Sequence, residues 1–254
     1  MADTKKNAPA GKPVLVFHGD KGGVGKSTFA GVALDWMQAR QIPVALVDGD
    51  TRNPDVSRMF ADSMPTLQAN LRVHDGWMDM TDFMMAQTDR TIAISLPAGI
   101  GAELRKEGSR FLQTISMLDR PLVMFWVINR LPDSVNLLNE ALQVLESGLS
   151  AKIVVKNLFF GDEDKFSRWD GSETRKRFEK SGGATINLTE LHERTVDKLF
   201  ADNESIMPYS AAAVPVREAG SSPHKLTPSE NMELLTWLQE NHKALDAIRP
   251  LLGL

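Results

Sequence analysis

The chain has 254 residues, of which 42% are hydrophobic and 24% charged, a composition typical of folded globular proteins. It contains no cysteine, which excludes disulfides, thiolate zinc sites, iron–sulfur clusters and cysteine nucleophiles. The formal net charge of −4 excludes a polycation that binds nucleic acid with its whole surface, and leaves room for a local basic face. No apolar run approaches the ~20 residues of a membrane-spanning helix, and no signal peptide is evident, so we expect a cytoplasmic protein.

Apolar runs alternate with amphipathic segments along most of the chain. The predicted strands are continuous apolar runs, typical of strands covered on both faces, at 13–18, 43–47, 91–96, 122–128 and 151–158. Helical periodicity predicts helices at 25–40, 103–118, 134–146 and 229–248. This alternation predicts an α/β fold with a doubly wound, mostly parallel sheet flanked by helices. We expect one domain over 13–254, preceded by a disordered tail at 1–12.

Three segments fit this alternation less well. Residues 67–87 are rich in methionine and tryptophan, and we expect a short helix there, over the sheet edge. Residues 162–180 are polar and charged, which predicts a long excursion outside the core. Residues 205–228 contain four prolines and are expected to be extended or looped. The last helix has an apolar stripe and an acidic opposite face, so we expect it to pack on the sheet rather than on a membrane.

The segment between the first strand and the first helix has a composition suited to binding phosphate. It reads Asp-Lys-Gly-Gly-Val-Gly-Lys-Ser-Thr over residues 20–28. Glycines allow successive backbone N–H groups to point inward, and the following helix adds its N-terminal dipole. Lys26 is placed to reach the β- and γ-phosphates of a nucleotide, and Ser27 to offer its hydroxyl directly to Mg²⁺. We predict a nucleotide-binding loop made of Lys21, Gly22, Gly23, Val24, Gly25, Lys26, Ser27 and Thr28.

This loop lacks the first glycine of the ordinary P-loop, since Asp20 stands there, and has a lysine, Lys21, just inside it. The string from Lys21 to Thr28 resembles the deviant P-loop of the ParA/MinD family of ATPases. The resemblance covers roughly residues 13–200. It implies a P-loop fold, ATP and Mg²⁺ as cofactors, and an ATP-dependent homodimer in which Lys21 reaches the partner's nucleotide.

Other positions match the same family pattern. By this resemblance, Asp48 steadies the Mg²⁺ shell through water, and Asp50 orients the attacking water, so Lys21, Lys26 and Asp50 form the catalytic set. The family has an aspartate at a strand end where this chain has Ser95, which places Mg²⁺ affinity or the hydrolysis rate in question. Asn157 ends a later strand where the family places an asparagine against the adenine edge.

The composition and the pattern of the downstream half of the chain narrow the choice among the branches of the ParA/MinD family. The absence of cysteine and the single tyrosine remove the nitrogenase-like, metalloid-pump and tyrosine-kinase branches. Residues 122–161 resemble plasmid-encoded StbB/TraL-type proteins of stability and conjugative transfer. A basic cluster in the excursion is a candidate contact surface for DNA phosphates, with a solvated loop as the alternative, because acidic residues are interleaved. The cluster consists of Lys165, Arg168, Arg175, Lys176, Arg177 and Lys180.

The sequence thus predicts a slow, partner-stimulated Mg-ATP-dependent switch in plasmid partition, positioning or conjugative transfer. Its expected partners are a second copy of the chain, a DNA-binding or cargo adaptor protein, and non-specific DNA. One alternative is a metabolic P-loop ligase or kinase, against which Lys21 argues. The other is a nucleotide-binding adaptor that scarcely hydrolyses ATP, which Ser95 keeps open.

Overall fold

The computed structural model describes residues 11–19, 21–201, 206–215, 218 and 221–254. Most of the predicted tail, Asp20 and parts of the proline-rich segment therefore lie outside the described residues. The strands are β1 (Val14–His18), β2 (Val44–Asp48), β3 (Thr66–Gln68), β4 (Thr91–Ser95), β5 (Leu122–Ile128), β6 (Leu149–Asn157) and β7 (Ala184–Leu188). The helices are α1 (Lys26–Ala39), α2 (Asp55–Phe60), α3 (His74–Ala86), α4 (Gly101–Met117), α5 (Pro132–Leu145), α6 (Ser167–Asp170), α7 (Glu173–Lys180), α8 (Glu193–Leu199), α9 (Tyr209–Ala212) and α10 (Pro228–Ile248).

The seven strands form one parallel sheet in the order β3-β2-β4-β1-β5-β6-β7. Successive side chains of a strand point to opposite faces. Leu15 and Phe17 accordingly join one apolar layer and Val14 and Val16 the other. Helices cover both faces, which explains why the central strands read as continuous apolar runs. The predicted α/β class, a parallel sheet flanked by helices in one domain, is confirmed.

The last helix was expected to pack on the sheet, and it lies against both α1 and the edge strand β7. Leu234, Trp237 and Leu245 are buried in the same layer as Trp36 of α1. Polar contacts fix the pair, since Arg40 Nε donates to Asp246 Oδ1 at 2.6 Å. No helix in the described part of the chain is long and apolar enough to cross a membrane.

The prediction that residues 162–180 form an excursion outside the core was wrong. It forms α6 and α7, and Phe166, Trp169 and Phe178 are at most 2% exposed within the apolar layer. Charged side chains around them form ion pairs with each other. Lys156 Nζ and Arg175 Nη1 lie 2.8 and 2.6 Å, respectively, from Asp170 Oδ1. Paired charges can lie beside a core without the cost of burying isolated ions. The polar composition of the segment therefore gave no indication of the buried aromatic side chains that hold it against the core.

The edge strands and the region beside β3 also differ from prediction. Strands β3 and β7, which the sequence analysis did not predict, are short and largely half-exposed, so they lack a continuous apolar run. The predicted short helix in 67–87 is the 13-residue α3, preceded by β3. In the described part of 205–228, Tyr209 begins the four-residue α9 and is buried.

Removing the Trp169 side chain tests whether α6 is part of the core. The Trp169 ring lies edge-on to Phe178 at 5.5 Å, and its Nε1 donates to Thr185 Oγ1 at 3.3 Å. We expect Trp169→Ala to lower the free energy of unfolding by about 3–5 kcal/mol, because it leaves a large cavity. Urea denaturation measures this, with Leu251→Ala, at a 47% exposed side chain, as the control. A loss for Trp169→Ala as small as the control's contradicts the core assignment.

Candidate functional site

The carboxyl ends of neighbouring parallel strands bring the predicted residues to one edge of the sheet. The loop 21–25 lies between β1 and α1, Asp48 ends β2, Ser95 ends β4 and Asn157 ends β6. Ser95 is the register partner of Asp48 on β2 and of Phe17 on β1. In open α/β sheets, ligands bind at this edge, where the strand order reverses direction, and β1 occupies that position here.

The loop 21–25 presents an open backbone nest. Gly23 and Gly25 have φ angles of 72° and 97°, the left-handed region that favours glycine. Side chains built at Gly22 or Gly23 would meet no atom within 4 Å, so the space beside the loop is open. No side chain caps the N-terminus of α1, and its first turn holds no acid, so its N–H groups can receive an anion. Lys26 Nζ lies 3.5 Å from the Lys21 carbonyl oxygen.

Asn157 supports this loop from the end of β6. Its Nδ2 donates to the Val24 carbonyl at 3.0 Å, and its Oδ1 accepts the Phe159 N–H at 3.1 Å. A Cβ at position 25 would lie 2.3 Å from Asn157 Nδ2, so only glycine allows this close approach. The side chain that the sequence analysis assigned to the adenine edge is therefore engaged, through one amide N–H, with the phosphate-binding loop.

Lys21 points away from the nest. Its side chain is 36% exposed, and Nζ lies 2.5 Å from Oδ2 of Asp133, in the first turn of α5. Asp133 is itself 54% exposed, so solvent screens the pair and its net contribution is about 0–1 kcal/mol. No local pattern in the sequence links the loop to α5, so a role for Asp133 was not predictable from the sequence.

The carboxyl groups of Asp48 and Asp50 order the segment after β2. Asp48 is buried, with Oδ1 accepting the Asp50 N–H at 3.2 Å and Oδ2 the Ser57 N–H at 2.9 Å. Burial raises the pKa of Asp48 to about 6, and the two N–H donors oppose that shift. Asp50 Oδ1 accepts the N–H groups of Arg52 and Asn53 at 3.2 and 3.3 Å. Ser95 is 4% exposed beside Asp48.

His18, immediately before the loop, contributes no positive charge to the site. It is 1% exposed, and its ring lies edge-on to Trp126 at 4.5 Å. Burial, assisted by the charge of Lys26, lowers the pKa of His18 to about 3. The imidazole is therefore neutral at physiological pH, and Lys26 and the backbone N–H groups supply the attraction for an anion.

A cavity of about 200 Å³ opens beside the loop, between the ends of β6 and β7. Gly23, Thr28 and Asn157 line its inner side. Two aromatic residues that the sequence analysis did not assign, the exposed Phe159 and the buried Tyr209, line it as well. The ring of Tyr209 packs edge-on against Trp237 at 5.1 Å. The cavity thus provides an apolar compartment next to the phosphate nest, as a nucleoside requires.

The basic cluster is only partly available at the surface. Lys165, Arg175 and Lys176 form ion pairs with neighbouring acids at 2.6–3.0 Å. Arg168, Arg177 and Lys180 are exposed and form no ion pair with another described residue. The interleaved aromatic rings of Phe166 and Trp169 are buried. Of the described residues of this cluster, Arg168, Arg177 and Lys180 are therefore the ones that offer unpaired charge to a partner.

The chain matches known proteins in sequence and in fold. The CobQ/CobB/MinD/ParA nucleotide-binding domain matches residues 15–165. Protein MobD of Acidithiobacillus ferrooxidans is 31% identical over 237 residues, which cover 93% of this chain and 98% of MobD. The chain belongs to the CobQ/CobB/MinD/ParA family of nucleotide-binding domains. The predicted relationship to ParA/MinD-type proteins is confirmed.

Two solved structures resemble the fold at low sequence identity. Chloroplast FtsY of Physcomitrella patens has a TM-score of 0.48 and 13% identity, and the match covers 88% of this chain and 65% of FtsY. The cell division protein MinD of Aquifex aeolicus has a TM-score of 0.46 and 15% identity, covering 88% of this chain and 97% of MinD.

The Asn157 contacts predict how its removal affects binding. If Asn157 mainly fixes the loop, Asn157→Ala lowers the affinities for ATP, GTP and inorganic tripolyphosphate by a similar factor, about fivefold for one lost hydrogen bond. Calorimetric titration of the three ligands measures this. Asn139→Ala, which removes an amide bonded to Thr174 on the far side of α5, serves as control. Loss of ATP affinity with unchanged tripolyphosphate affinity would show that Asn157 reads the base instead.

Proposed function

We propose that the protein is a Mg-ATP-dependent ATPase switch that dimerises around ATP. The observation that supports it most is the position of Lys21. Within the described part of the chain, its ammonium pairs with one exposed carboxylate, that of Asp133, in a contact that solvent screens. A side chain held so weakly in its own subunit is available to a nucleotide bound by a second copy.

Each nucleotide group has a fitting set of residues. The nest at 22–25, the uncapped start of α1 and Lys26 hold the phosphates, while the cavity beside Thr28 and Phe159 takes the nucleoside. Ser27 would hold Mg²⁺ directly and Asp48 through water, together with the nucleotide's phosphates. Among the described residues, no group of three or more acidic or histidine side chains is placed to hold a metal ion. When bound, Mg²⁺ neutralises charge that develops on the phosphates.

Asp50 is our candidate for positioning the attacking water. Its Oδ1 is occupied by two backbone N–H groups, while Oδ2 accepts no hydrogen bond from a described residue. A carboxylate fixed by one oxygen and open at the other can orient a water molecule.

We place the switch in plasmid partition or conjugative transfer, with an adaptor or cargo protein as partner. The similarity to MobD spans the downstream half on which that expectation rests.

Contact with non-specific DNA remains part of this proposal, restricted to fewer residues. Arg168, Arg177 and Lys180 are the members of the basic cluster without an ion pair to another described residue. A phosphate contact made through them adds to the salt dependence of binding.

The two lysines give the sharpest test of the dimer switch. Lys26→Ala should abolish ATP binding, because it removes the charge within the nest. Lys21→Ala should bind ATP normally but fail to dimerise, because that lysine acts on the partner's nucleotide. Calorimetry of the monomer and light scattering with Mg-ATP measure the two properties.

Asp133→Ala is the matched control for Lys21. It releases Lys21 from its contact in the same subunit, so ATP affinity should stay constant and the ATP dimer should be at least as stable as in the wild type. An equal loss of ATP affinity in Lys21→Ala and Lys26→Ala would contradict the action of Lys21 across the dimer.

The serine at position 95, where the family has an aspartate, favours a second candidate function, a nucleotide-binding adaptor that scarcely hydrolyses ATP. A carboxylate at this buried position beside Asp48 would add negative charge near the metal. Ser95→Asp should lower the Mg²⁺ concentration for half-maximal hydrolysis about threefold or more. Ser95→Ala controls for loss of the hydroxyl and should leave the Mg²⁺ titration unchanged. Superimposable curves for wild type and Ser95→Asp would remove Ser95 from metal handling.

Single-turnover hydrolysis separates the remaining alternatives. A switch hydrolyses its bound ATP slowly and completely without a small-molecule acceptor, whereas an adaptor retains ATP. A metabolic ligase or kinase would instead require an acceptor substrate for each turnover.

A further inference from the structure

A groove between α3 and α4 lies on the face of the sheet opposite α1 and α10. Its volume is about 230 Å³, and its walls include Trp77, Met78, Met80, Glu107, Arg110 and Phe111. The Trp77 ring is fixed, because its Nε1 donates to the Leu71 carbonyl at 2.8 Å and its edge meets Phe111 at 6.0 Å. The groove is therefore a preformed apolar slot, of a size that admits a side chain.

A buried carboxylate lines this slot. The Glu107 side chain is 4% exposed, and its Oε2 lies 3.1 Å from both His74 Nδ1 and Arg110 Nη1. Its Oε1 is buried and accepts no hydrogen bond from a described residue, the Lys106 ammonium being 3.9 Å away. A buried carboxylate oxygen without a donor favours a ligand that brings an N–H group.

The outer face of α3 extends the groove with acidic and methionine side chains. Asp75, Met78, Asp79, Asp82 and Met85 are exposed and follow the spacing i, i+3, i+4, i+7, i+10, which places them on one helical face. Met78 and Met85 are 54% and 55% exposed. Exposed methionines adapt to varied apolar partners. Helix α3 contains no lysine or arginine, and the cations on the α4 side, Lys106 and Arg110, both pair with Glu107.

The start of α3 is attached to the loops of the nucleotide site. Arg72 Nη2 donates to the Ala98 carbonyl at 2.6 Å, in the loop between Ser95 and the start of α4. Leu71 lies against Gly49, since a Cβ there would stand 2.7 Å from Leu71 Cδ1. Gly49 separates Asp48 from Asp50. A shift of α3 relative to α4 thus acts on both segments that follow the strands of the site.

We propose that the α3/α4 groove and the outer face of α3 bind a basic amphipathic helix of a partner protein. A side chain of its apolar face that carries an N–H group would enter the slot, with its apolar part against Trp77 and Phe111 and its N–H toward Glu107 Oε1. The basic side chains of the helix would meet Asp75, Asp79 and Asp82. Docking changes nucleotide affinity through Arg72, and this coupling, unlike the docking itself, rests on the proposed function.

The docking test uses two designed 18-residue helical peptides with the same leucine-and-tryptophan apolar face. One has lysine and arginine on its polar face, and the other has glutamate. Fluorescence anisotropy with nucleotide-free protein should show binding of the basic peptide only. The variants Met78→Ser and the triple variant Asp75→Asn, Asp79→Asn, Asp82→Asn should each weaken that binding about tenfold.

Matched controls change the same chemistry elsewhere on the surface. Met232→Ser alters a 50% exposed methionine on α10. The triple variant Asp62→Asn, Glu193→Gln, Asp197→Asn removes three exposed acids outside the groove. Both controls should keep the wild-type affinity within about twofold. Equal losses in control and groove variants, equal binding of the two peptides, or absence of binding would each overturn the proposal.

The coupling test compares ATP affinity with and without saturating basic peptide. Linkage requires that ATP change peptide affinity by the same factor. We expect a change of about threefold or more in wild type, and a smaller change in Arg72→Ala, which keeps the Leu71–Gly49 contact and should still bind the peptide. Peptide binding without any effect on ATP affinity overturns the coupling. Peptide binding by a protein that fails to bind ATP would refute the proposed function and leave the docking site standing.

Discussion

The close contact between Gly25 and Asn157 is the constraint on which the site depends. Asn157 ends β6, two strands away from β1, yet its amide bonds to the loop that follows β1. The contact requires a residue without Cβ at position 25 and fixes the height of the loop above the sheet. Because Asn157 also lines the neighbouring cavity, the phosphate nest and the cavity share one wall. The order of the strands thus sets the distance between the two ends of a nucleotide.

The central part of the fold was predictable because burial on both faces leaves a strong signal in the sequence. Strands β1, β2, β4, β5 and β6 are continuous apolar runs, and each was predicted. Strands β3 and β7 were not, because edge strands are short and half-exposed and so resemble loops in composition. The segment 162–180 misled for a different reason. Its anchors, Phe166, Trp169 and Phe178, are separated by charged residues whose ion pairs form only in the folded chain.

In the site, as in the fold, the features that depend on local sequence patterns were predictable, and the long-range contacts were not. The loop 21–28 and the neighbouring positions of Asp48 and Ser95 follow from a motif and from the register of parallel strands. Three contacts were not predictable in this way: the ion pair of Lys21 with Asp133, the contact of Arg72 with Ala98, and the place of Tyr209 in the cavity beside Thr28. Each joins residues that lie between 26 and 181 positions apart in the chain. Such contacts depend on where helices pack, which no local spacing specifies.

Asp48 organises the backbone after β2 through both of its carboxylate oxygens. Its two oxygens accept the N–H groups of Asp50 and Ser57, and the Ser57 hydroxyl in turn accepts Gln68 Nε2 at 2.8 Å. The first turn of α2 and the edge strand β3 are therefore tied to the same carboxylate. Any ligand that draws charge from this carboxylate weakens its hydrogen bonds to the backbone. A ligand bound at this carboxylate would therefore act on the segment 49–57, and Leu71, packed on Gly49, connects that segment to the start of α3.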